Sequence, residues 1–208
     1  MLRNILYIIG SVVIFFFGMI LYGVILNFRE ETLNEAMKEK NISSITKPAI
    51  VVSKKNYHLE LYEDTILVKT YKAAFGKSSR IEKESFIDNV TPVGEYQICS
   101  IDSNSRFHRF LLLSYPTQNE VVEAYRKKWI TKEEYISIIN NLNRGVYPFT
   151  GMEQFPRIGI QGIGTYDFVF RNLPFTFNWT NGSIALSNAD IDELFRIVKC
   201  GTPVVIKE

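Results

Sequence analysis

Few side chains in this sequence can carry covalent chemistry. There are two cysteines, Cys99 and Cys200, and two histidines, His58 and His108. Cys99 lies in an alternating strand pattern and Cys200 follows a helix end, so both read as small core residues, and no C-x-x-C spacing offers a metal or redox site. In an oxidising compartment the two could pair, but spacing alone does not give their separation. His58 sits in an early strand pattern, and His108 follows Arg106-Phe107. The densest cluster of small and polar residues is Trp179-Thr180-Asn181-Gly182-Ser183-Ile184-Ala185-Leu186-Ser187-Asn188. Ser183 there is the hydroxyl that could attack a carbonyl, provided a general base takes its proton, and the run contains no histidine. A second glycine-rich segment, Ile158-Gly159-Ile160-Gln161-Gly162-Ile163-Gly164, offers only the amide of Gln161.

These two segments belong to an ordered series. Thr91-Pro92-Val93-Gly94-Glu95-Tyr96, Ser105-Arg106-Phe107-His108 and Leu113-Ser114-Tyr115-Pro116 precede them, and Gly201-Thr202-Pro203-Val204-Val205-Ile206 closes the chain. The series resembles the YkuD-type L,D-transpeptidase family, cysteine enzymes that cross-link peptidoglycan, in the branch whose signature reads W-T-x-G-C-I-A-L-S-N. The resemblance implies that Ser183 stands where the family has its nucleophilic cysteine and Gln161 where it has a histidine. Asn181 occupies a position that is histidine in the commoner S-H-G-C pattern, although this branch tolerates other residues there. It further implies oxyanion-binding backbone at Gly182 and Gly162, and substrate-binding roles for Thr180, Trp179, Gly164 and Tyr166. No cofactor and no metal are implied. His108 is the one imidazole in a matched segment and is considered as a substitute base for Ser183.

The elements that must position these residues are legible from patterning. Between Ile5 and Leu26 no charged residue occurs, and at about 1.5 Å per residue this run is long enough to cross a bilayer core. With Tyr7 and Tyr22 near its ends and no small-residue cleavage signal behind it, residues 1–28 read as an uncleaved transmembrane signal anchor. Residues 29–47, with Leu33, Ala36 and Met37 at helical spacing, read as a juxtamembrane helix or stalk. Residues 48–208 form the transpeptidase-like domain. Positive charge flanks both ends of the anchor, so orientation rests on the resemblance, which places the domain outside the cytoplasmic membrane.

Short β-branched and aromatic runs from Pro48 onward predict a mainly β fold, and with the resemblance a YkuD-type β-sandwich preceded by the transmembrane helix. A polar loop is expected from Gly76 to Asn89. A helical insertion follows, with one helix from Gln118 to Trp129 and a second opened by the capping box Thr131-Lys132-Glu133-Glu134, whose stripe is Tyr135, Ile138, Ile139 and Leu142. The insertion reads equally as a selectivity element beside the cleft or as packing. Ser187 and Asp190 start a single C-terminal helix with the stripe Ile191, Leu194, Phe195 and Val198. Between the two glycine-rich segments, Tyr166, Phe168, Phe170, Phe175 and Phe177 read either as core aromatics on two strands or as a ligand platform.

The charge balance, 24 Lys+Arg against 22 Asp+Glu, and the lack of a dense basic run exclude a nucleic-acid partner. Two functions fit the residues. The first is a membrane-anchored, catalytically inactive relative of the L,D-transpeptidases that binds peptidoglycan stem peptides or a cell-wall synthesis protein. The second is a working transpeptidase or carboxypeptidase that transfers or hydrolyses an acyl group through Ser183.

Overall fold

The computed structural model describes residues 2–27, 30–77, 88–145, 156–173 and 176–208. Most of the polar loop expected from Gly76 to Asn89, and Phe175 of the aromatic segment, lie outside the described residues. The apolar run forms helix α1, Leu2–Asn27, of which Leu2–Ile25 has a mean hydropathy of 2.5 and is long and apolar enough to cross a membrane. Helix α2, Leu33–Glu39, starts at a reciprocal capping box between Thr32 and Glu35.

Among the described residues, eight strands form one continuous sheet in the order β3-β2-β1-β8-β4-β5-β6-β7. Their ranges are β1 Pro48–Ser53, β2 His58–Glu63, β3 Ile66–Lys72, β4 Gly94–Ser105, β5 His108–Leu113, β6 Gly159–Gly162, β7 Ile184–Leu186 and β8 Pro203–Lys207. Neighbours are antiparallel except for the β1–β8 and β6–β7 pairs, which are parallel. The twelve-residue β4 makes the sheet fold on itself: Gly94 to Gln97 pair with β8, and Ile98 to Ser105 pair with β5. Two leaves therefore share one strand and face each other across a common core, as the sandwich expectation requires. The free edges also meet, because Ala74, just past β3, exchanges both backbone hydrogen bonds with Ala185 of β7. This near-closure leaves little unpaired edge.

Alternation places Ile50, Val52, Leu59, Leu61, Val204 and Ile206 of one leaf against Ile98, Leu111, Leu113, Ile160 and Ile184 of the other, all essentially buried. Helix α6, Asn188–Ile197, closes one side through Ile191 and Leu194, with Ser187 as its N-cap accepting from the Asp190 amide. The expected insertion is present as α3, Gln118–Arg126, and α4, Lys132–Asn143, each opened by a capping box. Its buried residues are Val121, Ala124, Ile130 and Ile138, Tyr125 packs on Tyr135, and Glu120 accepts from the Tyr96 hydroxyl of β4 at 2.7 Å.

The stretch read as a stalk is docked on the domain. Leu33 and Ala36 of α2 are buried in the same core, the Leu33 amide donates to Glu193 of α6 at 2.9 Å, and Glu193 also holds Lys69 of β3 at 2.6 Å. Just before α2, Glu30 pairs with Lys72 at 2.7 Å. A capped seven-residue helix with an apolar face is too short to persist alone, so its packing is what holds it.

Candidate functional site

The site residues stand at one end of the β5-β6-β7 leaf. Register pairs Phe110 with Gln161 across β5 and β6, and Ile160 with Ile184 across β6 and β7. Because Ile160 and Ile184 both point into the core, their neighbours Gln161 and Ser183 emerge on the opposite face. Both line a cleft of about 810 Å³, together with Trp179, Thr180, Asn181, Asp102, Arg106, Phe110 and Arg157. Ser183 is level with Gly159, so two residues of strand and one strand spacing separate its Cα from that of Gln161, roughly 8 Å.

The turn that presents Ser183 is tightly built. The Trp179 and Thr180 amides both donate to the Phe75 carbonyl, the buried Thr180 hydroxyl donates to the Ser183 carbonyl, and Gly182 adopts φ +101°. A side chain at Gly182 would be strained by that φ and would also press on the Val90 carbonyl. On the neighbouring segment, Asn188 clamps the Gly164 turn: its side chain accepts from the Gly164 amide at 2.9 Å and donates to the Gly164 carbonyl at 3.0 Å. Gly162 sits where a Cβ would collide with the Phe107 carbonyl. Asn188, quoted in the motif without a role, is the residue that ties the turn after β6 to α6.

Ser183 itself is 5% exposed, and both hydrogen bonds to its hydroxyl involve backbone: it accepts from the Gly159 amide at 3.3 Å and donates to the Arg157 carbonyl at 3.4 Å. Its proton is directed to a peptide oxygen, which cannot act as a base at neutral pH. His108 is not its partner. The imidazole Nε2 lies 2.9 Å from Asp192 of α6, whose other oxygen accepts from Arg109 Nε at 2.8 Å, and His108 does not line the cleft. Burial alone would raise the Asp192 pKa, but the Arg109 and His108 hydrogen bonds and charges outweigh it and hold the carboxyl below its ordinary value.

Neither cysteine lines the cleft. They adjoin each other at the start of β8, with Cys200 Sγ 3.4 Å from the Cys99 carbonyl, and both are free thiols. Burial, with Cys200 close by, pushes the Cys99 thiol up to about 11, the reverse of what a nucleophile needs. Cys200 is exposed, contrary to its reading as a core residue, because it occupies the turn between α6 and β8.

Two further segments are placed away from the cleft. Tyr166, assigned to substrate, does not line the cleft; it is 68% exposed on a 3-10 turn, Gly164–Tyr166, that leads into helix α5, Asp167–Arg171. The first part of the aromatic segment is thus helical, and of its described aromatic residues up to Phe170 only Phe170 turns inward, stacking on Trp179 at 5.8 Å and touching Phe177 at 5.4 Å. Among the described residues none of α3 or α4 lines the cleft; the insertion packs at the other end, beside Glu95 to Gln97. Conversely, Arg106 and Arg157 had no role in the sequence reading, yet they give the cleft two exposed cations, each over an aromatic ring. Nothing local marked Arg157, which only the return of the chain into β6 brings to Ser183. Among the described residues no cluster of three metal-ligating side chains occurs.

The fold is that of the cell-wall transpeptidase class. The model of the YkuD family, L,D-transpeptidase catalytic domain, matches residues 47–206, and the chain belongs to that family. No curated protein sequence matches it significantly. Solved structures similar to it include an L,D-transpeptidase from Mycobacterium tuberculosis (TM-score 0.46, 14% identity, covering 78% of this chain and 58% of that one). The protein Bd1075 from Bdellovibrio bacteriovorus is similar at TM-score 0.48 and 17% identity, with 78% of this chain and 48% of that one covered. L,D-transpeptidase 3 from Mycobacterium tuberculosis, in complex with a faropenem-derived adduct, is similar at TM-score 0.45 and 12% identity, covering 78% and 60%. The chain therefore spans only about half to three-fifths of the length of these proteins.

Proposed function

We propose that this chain is a membrane-anchored, catalytically silent member of the L,D-transpeptidase family whose cleft binds peptidoglycan stem peptides. The observation that carries the reading is the Ser183 hydroxyl, sequestered between the Gly159 amide and the Arg157 carbonyl, with Gln161 as the other family position in the same cleft. Acyl transfer by this family's route needs a thiolate and an imidazole to shuttle the proton. Here there is neither at the matched positions, and the nearby imidazole is bound to Asp192. What remains is a shaped, cationic cleft: Arg106 and Arg157 suit the carboxylates of a stem peptide, and Trp179 supplies an apolar wall. The 24-residue apolar span supports single-pass anchoring in the cytoplasmic membrane, with the domain on the outer side where peptidoglycan lies.

The test uses full-length protein in mild detergent on purified sacculi, beside an assay of muropeptide turnover. Retention on sacculi that weakens in Arg106→Ala with Arg157→Ala, and no new muropeptide, is the expected result. Turnover that disappears in Ser183→Ala would replace this reading with an active acyl transferase.

A further inference from the structure

We infer that α5 and the turn before it form a second membrane contact, an aromatic foot that sits in the interfacial zone of the same bilayer that α1 crosses. The inference rests on the anchoring proposed above. Helix α1 is open along most of its length, with Ile14 73% and Phe17 68% exposed, but Gly23 is buried and Met19, Ile20 and Val24 on the same face are partly covered. What covers Gly23 is the backbone of Asn172, the residue that ends α5: any Cβ at Gly23 would overlap the Asn172 carbonyl. Gly23 lies two residues before Ile25, the end of the apolar span, or about 3 Å along the helix axis. The end of α5 is thereby held at the level where hydrocarbon gives way to headgroups.

The side chains next to that contact suit this level. The Asn172 side chain donates to the Phe168 carbonyl at 2.6 Å, so Phe168 lies one turn from the helix contact. Tyr166, Phe168 and Val169 are 68%, 64% and 42% exposed, and Tyr22 of α1 is 56% exposed at nearly the same height as Gly23. Exposed aromatic residues on a segment that abuts the end of a spanning helix suit the belt that favours the bilayer interface, and three exposed apolar side chains in water would be a liability. The one acid of α5, Asp167, is turned away from this face, because its carboxylate accepts from the Asn188 amide at 2.8 Å. The foot is also preformed: Phe170 is locked against Phe177 and Trp179, so ordering costs little when lipid covers the outer side chains. Because Trp179 is a wall of the cleft, the contact fixes the cleft close to the membrane surface, where a domain on a loose tether would range freely.

Depth measured by a nitroxide label tests this. Full-length protein with Cys99→Ser and Cys200→Ser carries one cysteine at a time, by Phe168→Cys, Val169→Cys, Ile14→Cys in α1, or Ile136→Cys on the exposed face of α4, and is reconstituted into phosphatidylcholine vesicles. Oxygen partitions into lipid and a nickel chelate into water. Collision with oxygen should exceed that with the chelate several-fold at positions 168 and 169, as at 14, and the order should reverse at 136. Chelate-dominated collisions at 168 and 169 while 14 remains in lipid would overturn the foot and leave the anchor intact. Exclusion of both reagents at 168 and 169 would overturn it in favour of a covering protein surface. A water-exposed position 14 would remove the anchor and the foot with it.

Discussion

Two corners of the same leaf hold the groups that acyl transfer would need, and they are wired in opposite ways. At the cleft corner, Ser183 is buried and its hydroxyl is spent on the peptide groups of Gly159 and Arg157. At the corner facing α6, His108 has the carboxylate partner that an acid–base imidazole uses, but Asp192 also binds Arg109, and the trio faces away from the cleft. Among the described residues, one corner has a serine without an imidazole beside it, and the other an imidazole without a hydroxyl or thiol nucleophile hydrogen-bonded to it. A list of chemical groups therefore does not make a site; the backbone that directs each group decides, and at His108 a positive φ of +74° breaks the alternation that would put it on the face of Phe110.

The largest effect should come from rebuilding the first corner. Ser183→Cys with Gln161→His restores a thiol and an imidazole on one face about 8 Å apart between Cα atoms, a span two side chains can close. Covalent capture of faropenem, read as an intact-mass shift, should be absent in the parent, slow in Ser183→Cys alone, and faster by roughly 10²–10⁴-fold in the double variant, the range that a positioned proton carrier contributes. Adduct on the parent at the same rate would erase the contrast between the corners.

Next in size is packing. Ile184 is fully buried beneath the cleft turn, so Ile184→Ala should lower unfolding free energy by about 2–5 kcal/mol in a denaturant titration. Phe195, half-buried under Arg109 at the other corner, should cost less when cut to alanine. Equal losses would mean that the two corners are equally part of the core.

A smaller effect concerns charge. Asp192 is held below its ordinary pKa, so its stabilising contribution is complete above the usual carboxylate range and is lost as pH falls through the lowered folded value. Asp192→Asn should therefore cost on the order of 1 kcal/mol at neutral pH, the carboxylate being partly screened by solvent, and the gap to the parent should close in acid. A gap that persists in acid would show that the cluster acts by packing and not by charge.

The smallest effect is expected for Ser183→Ala. Its two hydrogen bonds are long and are made to backbone, so stability should change by less than about 1 kcal/mol and retention on sacculi should not change. Loss of retention would show that the hydroxyl contacts the ligand.

Much of the molecule was legible because its signals are local. The apolar run became α1, the Thr131 and Glu134 pair and the Ser187 and Asp190 pair opened helices where expected, and the alternating runs became strands. Gln161 and Ser183 share a cleft as the motif order implied. The misreadings involve residues whose surroundings come from elsewhere in the chain. Tyr166 was expected to contact substrate, and the backbone after Gly164 coils and turns it outward. Cys200 looked like a core residue until the turn before β8 placed it outside.

By itself, then, the sequence determined the family, the apolar helix, and the strand and helix types, since each of these is written in residue identity and short-range spacing. Only the tertiary structure decided that α2 is part of the core, that His108 serves Asp192, that Arg106 and Arg157 reach the cleft, and that α5 abuts the end of α1. Those outcomes depend on contacts between segments far apart in the chain, where the pairing of strands and the competition of burial against hydrogen bonding choose the neighbour, and no local pattern records that choice.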